Sequence, residues 1–313
     1  MNKIDSLNIR QALQFALKQL SKNKILDPLF EAELLLSNIL KKEREHILTY
    51  PNKKISQLQF KKFKTAVKQR VNNTPFAYIS EYKYFYGLKF FINNNVLVPR
   101  PETEMMVEEA LKYSIFNNQH SIFIDIGTGS GCIITAIVKN ILDSGLENSN
   151  YTFIASDISS KALATAKKNA KLNKVNRFIK FYQGNLLHPI INIINKSKIE
   201  NHKSQIIITA NLPYLTPTQI KNSPSIQKEP HLALTAGSDG LKYYRILFKQ
   251  INSIRYHLKA KCYQLPATQL ILEIDHTQKT SITKLIKQEL PKANFEIKKD
   301  LGGHYRLVII SIN

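Results

Sequence analysis

Asp125-Ile126-Gly127-Thr128-Gly129-Ser130-Gly131 places three of the chain's ten glycines in one turn, after the apolar run 121–126 and before a second apolar run that starts at Cys132. Glycines without side chains let the main chain approach a bound molecule closely, and a helix opening after the turn offers unpaired N–H groups to an acidic group. The spacing is G-x-G-x-G, which is neither the dinucleotide pattern G-x-G-x-x-G nor a phosphate loop ending in Gly-Lys-Ser/Thr. A strand, a ligand turn and a helix in that order begin a parallel α/β sheet.

Downstream the alternation continues. Strands are predicted over 151–156, 177–182, 205–210 and 268–275, and helices over 159–172, near 240–258 and after His276. The last two strands, near Phe295 and over 305–311, have no helix between them and are expected to pair antiparallel at an edge. The Asn/Lys/Ile-rich stretch 191–204 reads as a loop insertion.

Upstream, residues 1–73 read as a helical domain. Ile9, Leu13, Ala16, Leu17 and Leu20 share one helix face; Asp27-Pro28 opens a second helix with a stripe of Phe30, Leu34 and Ile39; a third, over 56–71, carries Phe60, Phe63 and Val67 inside and a solvated face of lysines outside. Aromatic residues alternate with polar ones through 74–98, which predicts a hairpin linking this domain to a larger one over 99–313. A further helix is expected from Met105, with Val107, Ala110, Leu111 and Ser114 in register.

The 313 residues suit two domains, and 43% apolar content is enough for packed cores. Lys and Arg total 45 against 23 Asp and Glu, a net charge of +22. The basic residues are spread along the chain, so charge alone specifies no nucleic-acid partner. Two cysteines, Cys132 and Cys262, make no disulfide scaffold and fit a reducing compartment, with Cys132 expected as a small buried residue. No signal-peptide core or membrane span is visible, so a cytoplasmic protein is expected. None of the eight histidines stands in a metal-binding spacing, and no metal is expected.

Two further positions complete a candidate site. Asp157 ends the second strand, where a carboxylate accepts hydrogen bonds from both hydroxyls of a ribose, or caps the helix beginning near Ser159; the two roles are compatible. Asn211-Leu212-Pro213-Tyr214 follows the fourth strand. A tight turn there aims the Asn211 side-chain oxygen and the Leu212 carbonyl at one planar NH2 group, with Tyr214 on its flat face, or it is an ordinary turn.

In this order the residues resemble S-adenosylmethionine-dependent methyltransferases that modify planar nitrogens, whose motif is Asn/Asp-Pro-Pro-Tyr. Phe85-x-Gly87, Val98-Pro99-Arg100-Pro101-Glu102-Thr103-Glu104, Glu229-Pro230 with Ala233-Leu234, and Asp239-Gly240-Leu241 narrow this to a resemblance to HemK-type protein-(glutamine-N5) methyltransferases.

The resemblance implies a class I methyltransferase fold, a Rossmann-like seven-stranded sheet with an antiparallel edge hairpin, behind a small N-terminal helical domain. It implies S-adenosylmethionine held by Gly127, Thr128, Gly129, Ser130, Gly131, Asp157, Asn185 and Asn211. Asn211, Pro213 and Tyr214 would be catalytic, and Asn211 through Tyr214 would hold the glutamine of the GGQ motif of class 1 peptide chain release factors. Pro99 to Glu104 would border the same cleft, with Arg100 as an ion-pair partner. An adenine-N6 methyltransferase acting on DNA or RNA is the alternative the shared motif leaves open. The chain departs from the pattern at Leu212, where proline is usual, and at Asn185, where an acidic residue is usual.

Overall fold

The computed structural model describes residues 7–115, 120–145, 151–191, 205–260 and 267–312. The chain divides into two units, one of Met1–Glu81 with Pro224–Lys228 and the other of Tyr82–Ser223 with Glu229–Asn313.

The first unit is helical: α1 (Ile9–Lys22), α2 (Pro28–Leu40), α3 (Arg44–Thr49), α4 (Gln57–Val71) and α5 (Phe76–Ser80). Asn8 with Gln11 and Ser56 with Gln59 form reciprocal capping boxes that start α1 and α4. The core joins Ile9, Ala12, Ala16 and Leu20 of α1 to Ala32, Leu35 and Leu36 of α2 and to Phe63 and Val67 of α4.

α2 buries a different face from the expected Phe30, Leu34 and Ile39 stripe. Asp27 is left-handed and makes no side-chain cap, and the buried face is Ala32, Glu33, Leu35 and Leu36. Phe30 is 45% exposed, and the Arg44 guanidinium lies over its ring. Every residue from Leu34 to Leu36 is apolar, so periodicity alone did not choose among three possible faces.

The hairpin expected over 74–98 is shorter. Residues 76–80 form α5, whose Phe76 and Ile79 pack on the helical core, and the strands are β1 (Tyr82–Phe85) and β2 (Leu88–Phe91). In five residues, alternation with period two cannot be told from one helical turn.

The second unit carries a seven-stranded sheet of β3 (Ser121–Ile126), β4 (Tyr151–Asp157), β5 (Ile179–Gln183), β6 (Gln205–Ala210), β7 (Ala267–Glu273), β8 (Asn294–Lys299) and β9 (Tyr305–Ile312). The order is β5-β4-β3-β6-β7-β9-β8. The first five are parallel. β9 runs antiparallel between β7 and β8, so the expected edge pair is present, with β8 outermost.

Helices α6 (Glu104–Ile115), α7 (Cys132–Asp143) and α8 (Ser160–Leu172) precede or follow the central strands, and Lys242–Ala260 and Lys279–Glu289 flank β7. β3 and β6 are buried along their whole length, as strands covered on both faces must be. Chain order reverses at β3, which lies between β4 and β6. The crevice beyond the carboxyl ends of these strands is where such sheets bind ligands.

Candidate functional site

The glycine turn leaves β3 into that crevice. Gly127 and Gly129 have φ of +66° and +54°, a region that other residues enter at a cost. The turn is tied on both sides: Thr128 N–H donates to the Ser156 carbonyl at 2.9 Å, and Thr128 Oγ1 donates to Asp125 Oδ2 at 2.6 Å. Asp125 also accepts from Thr209 Oγ1 at 2.8 Å, joining β3 to β6. Burial pushes the Asp125 carboxyl up to about 6, against the pull of its Thr128 and Thr209 hydrogen bonds.

Gly127 packs against the turn after β6: a Cβ there would lie 3.0 Å from Leu212 Cδ2, so glycine suits both the positive φ and the close contact. Gly131 has a different partner: its absent Cβ would meet Ala166 of α8 at 3.0 Å, and it is not among the cavity walls. Its part is to let α7 and α8 pack together.

Asp157 bonds to the main chain on either side of it, while the side chain that caps α8 is that of Ser159, which accepts from Ala162 N–H at 3.2 Å. Oδ1 accepts from Ser159 N–H at 2.8 Å at the start of α8, and Oδ2 accepts from Gly129 N–H at 2.9 Å. Each carboxylate oxygen has two lone-pair sites, so capacity for ligand hydroxyls remains. Burial raises its pKa while the Ser159, Gly129 and Ile158 N–H groups oppose the rise.

Asn185 lines the same cavity. Its loop is clamped by Gln250, which accepts from Leu187 N–H at 2.9 Å and donates to the Asn185 carbonyl at 3.3 Å. Gln250 went unnoticed in the sequence, because a polar residue on a helix 65 positions away gives no local signal.

Gly127, Thr128, Gly129, Ser130, Asp157, Asn185, Asn211, Leu212 and Pro213 meet around one cavity of about 170 Å³. Its other walls include Pro99, Arg100, Thr103, Leu232 and Tyr243. Tyr214 is not one of them. Its hydroxyl donates to Glu273 Oε1 at 3.0 Å, and burial, with the Glu273 charge, holds that hydroxyl well above its usual pKa. Gln278 Nε2 donates to the Tyr214 carbonyl at 2.9 Å.

Asn211 donates through Nδ2 to Thr103 Oγ1 at 3.2 Å, and no protein donor is bound to its Oδ1 among the described residues. The Tyr244 hydroxyl donates to the Glu273 carbonyl. Arg100 pairs with Glu229, whose second oxygen accepts from Val98 N–H at 3.0 Å. This pair, with Glu229 buried and Arg100 partly exposed, anchors the Pro99–Glu104 segment beside the cavity and places Arg100 as the expected ion-pair partner. Cys132 is buried, and desolvation pushes its thiol up to about 12, far from a reactive thiolate. Cys262 and most of the 191–204 stretch lie outside the described residues. No helix among the described residues is long and apolar enough to cross a membrane.

Comparison with known proteins gives two family matches: "PrmC N-terminal domain" over residues 11–80 and "Methyltransferase domain" over residues 117–252. The release factor glutamine methyltransferase of Bacillus subtilis (strain 168) is 33% identical over 287 residues, covering 90% of this chain and 91% of that protein. A bifunctional methyltransferase of Rickettsia typhi is 29% identical over 97% of this chain, which spans 57% of that longer protein. Among solved structures, the hMettl16 catalytic domain in complex with a 3′UTR hairpin gives a TM-score of 0.47 at 15% identity, covering 82% of this chain and 81% of that one.

Proposed function

The chain belongs to the family of release factor glutamine methyltransferases, and we propose on that premise that it moves a methyl group from S-adenosylmethionine to the side-chain nitrogen N5 of the GGQ glutamine in class 1 peptide chain release factors. The observation that carries the reading is that Asn211, whose Nδ2 is held by Thr103, and Leu212 line the same cavity as the glycine turn and Asp157. The match of residues 11–80 to the N-terminal domain of this family favours a protein substrate over the adenine-N6 alternative.

The residues present suit the proposed cofactor. Gly127 and Gly129 present main chain to the cavity with no side chain in the way. Asp157 retains acceptor capacity for a diol, and Asn185 lies along the same wall. S-adenosylmethionine supplies an electrophilic methyl group on a sulfonium.

An amide nitrogen is a weak nucleophile because its lone pair is delocalised into the carbonyl. Two acceptors on its NH2 group, Asn211 Oδ1 and the Leu212 carbonyl, favour the electron-rich form in which the lone pair faces the methyl. Positive charge grows on nitrogen as the N–C bond forms and the S–C bond breaks, so both hydrogen bonds strengthen toward the transition state. Orientation adds to this, an effect worth on the order of 7–11 kcal/mol in well-aligned systems. The N–H proton leaves after transfer, when the alkylated nitrogen is strongly acidic, so no strong general base is required beforehand.

Mass spectrometry of release-factor peptides after incubation with the protein and S-adenosylmethionine tests the proposal. A mass increase of one methyl group on the GGQ glutamine is expected. Methylated adenine in nucleic acid with unmodified release factor would overturn it.

A further inference from the structure

Glu273, at the end of β7, is 1% exposed and was not singled out by any sequence pattern. Its Oε2 accepts from Thr103 Oγ1 at 2.6 Å and its Oε1 accepts from Tyr214 Oη at 3.0 Å. Thr103 in turn meets Asn211 Nδ2 at 3.2 Å. We infer that Glu273 is a positioning residue for Asn211, acting through Thr103 to decide which end of the Asn211 amide faces the cavity. The inference rests on the glutamine-methylation reading above and adds a residue to it.

A count of protons fixes the orientation. An asparagine amide has two ends of nearly equal shape, and only its hydrogen-bond partners choose between them. A threonine hydroxyl has one proton. Thr103 gives that proton to the Glu273 carboxylate, so toward Asn211 it can only accept. The NH2 end of Asn211 must then face Thr103, and the carbonyl end is left for the substrate amide. Reversing Asn211 would bring two acceptors together in a buried place and offer the substrate NH2 a donor.

The carboxylate keeps this polarity while it is ionised. Burial raises its pKa, while the Thr103 and Tyr214 hydroxyls and the Arg306 charge oppose the rise. A network with every member satisfied fixes one geometry, which is what a preorganised site needs.

Glu273→Gln keeps the shape and removes the logic. The Gln amide can donate to Thr103, which frees the Thr103 proton to point at Asn211 and admits the reversed amide. Single-turnover transfer to a GGQ-bearing release factor is expected to fall by about 10-fold or more, with cofactor affinity and melting temperature nearly unchanged. Thr103→Val should match it, and the double variant should be no worse, because both act along one chain. In an Asn211→Asp background the two side-chain ends are equivalent, so Glu273→Gln should cause no further loss.

Asparagine-selective 15N labelling gives a readout independent of turnover. The Asn211 side-chain amide signal, assigned by its disappearance in Asn211→Asp, should shift or split in Glu273→Gln. An unshifted Asn211 signal, wild-type transfer by Glu273→Gln, or a parallel loss of cofactor affinity and melting temperature would each overturn the inference. A wild-type protein that leaves the GGQ glutamine unmodified would instead remove the functional reading, while the amide signal would still decide the positioning.

Discussion

The Asn169 side chain meets the Phe91 main chain as one strand meets another: Phe91 N–H donates to Asn169 Oδ1 at 2.7 Å, and Asn169 Nδ2 donates to the Phe91 carbonyl at 2.9 Å. Nδ2 also donates to the Ser130 carbonyl at 2.8 Å. One fully buried side chain on α8 thus ties the β1–β2 hairpin to the glycine turn.

Asn169→Leu leaves those main-chain groups unpaired, at about 1–3 kcal/mol each where water cannot replace the bond. Taking about 3 kcal/mol in total, the melting temperature should drop by about 6–12 °C. Thermal unfolding followed by circular dichroism measures it, and an unchanged melt would show that the hairpin is held elsewhere.

Asn211→Ala deletes one proposed acceptor while leaving the glycine turn and Asp157 in place. Single-turnover methyl transfer should fall by about 100-fold or more, by analogy with the loss of one preorganised hydrogen bond to a developing charge, and calorimetric cofactor affinity should hold. Leu212→Pro keeps the carbonyl and should therefore retain transfer in the same single-turnover assay.

Asp157→Ala removes two main-chain hydrogen bonds as well as the proposed ribose acceptor. S-adenosylmethionine binding should weaken by about 1.5–3 kcal/mol, the range for a hydrogen bond to a charged group. Isothermal titration decides this. Undiminished affinity in a folded variant would remove Asp157 from the cofactor site.

At Gly240, φ is +72° and a Cβ would overlap the Tyr214 carbonyl oxygen and Gln278 Nε2. Gly240→Ala should lower stability by about 2 kcal/mol or more, combining backbone strain with displacement of a hydrogen-bonded turn. Because the turn carries Tyr214, transfer should fall as well. Denaturant midpoints and transfer rates that match wild type would contradict both expectations.

Asp125 supplies a pH test. Its folded pKa of about 6 lies above the usual carboxyl value of 3.8, so folding favours the protonated form. The resulting stabilisation is complete below the unfolded pKa and is lost as pH rises through about 6. Asp125→Asn does not titrate. Relative to that variant, wild type should lose roughly 1–2 kcal/mol between about pH 5 and about pH 7.5. Parallel urea titrations at the two pH values measure the difference, and a pH-independent gap would rule out a raised Asp125.

The sequence by itself determined the alternation of strands and helices over 121–289, the glycine turn, and the presence of Asp157 and Asn211 at strand ends. Each is a local property: side-chain periodicity over one element, or a residue type at its end. Tertiary structure alone decided which face of α2 is buried, that 76–80 is helical, and that Gly131 serves the packing of α7 on α8 rather than the cavity. It also brought in Glu273, Gln250 and Asn169, whose partners lie 170, 65 and 78 positions away. A polar side chain in a helix or strand looks the same in sequence whether it meets water or a buried partner. Only when packing excludes water does each such group have to find a specific hydrogen bond, and that requirement gives the site its orientation.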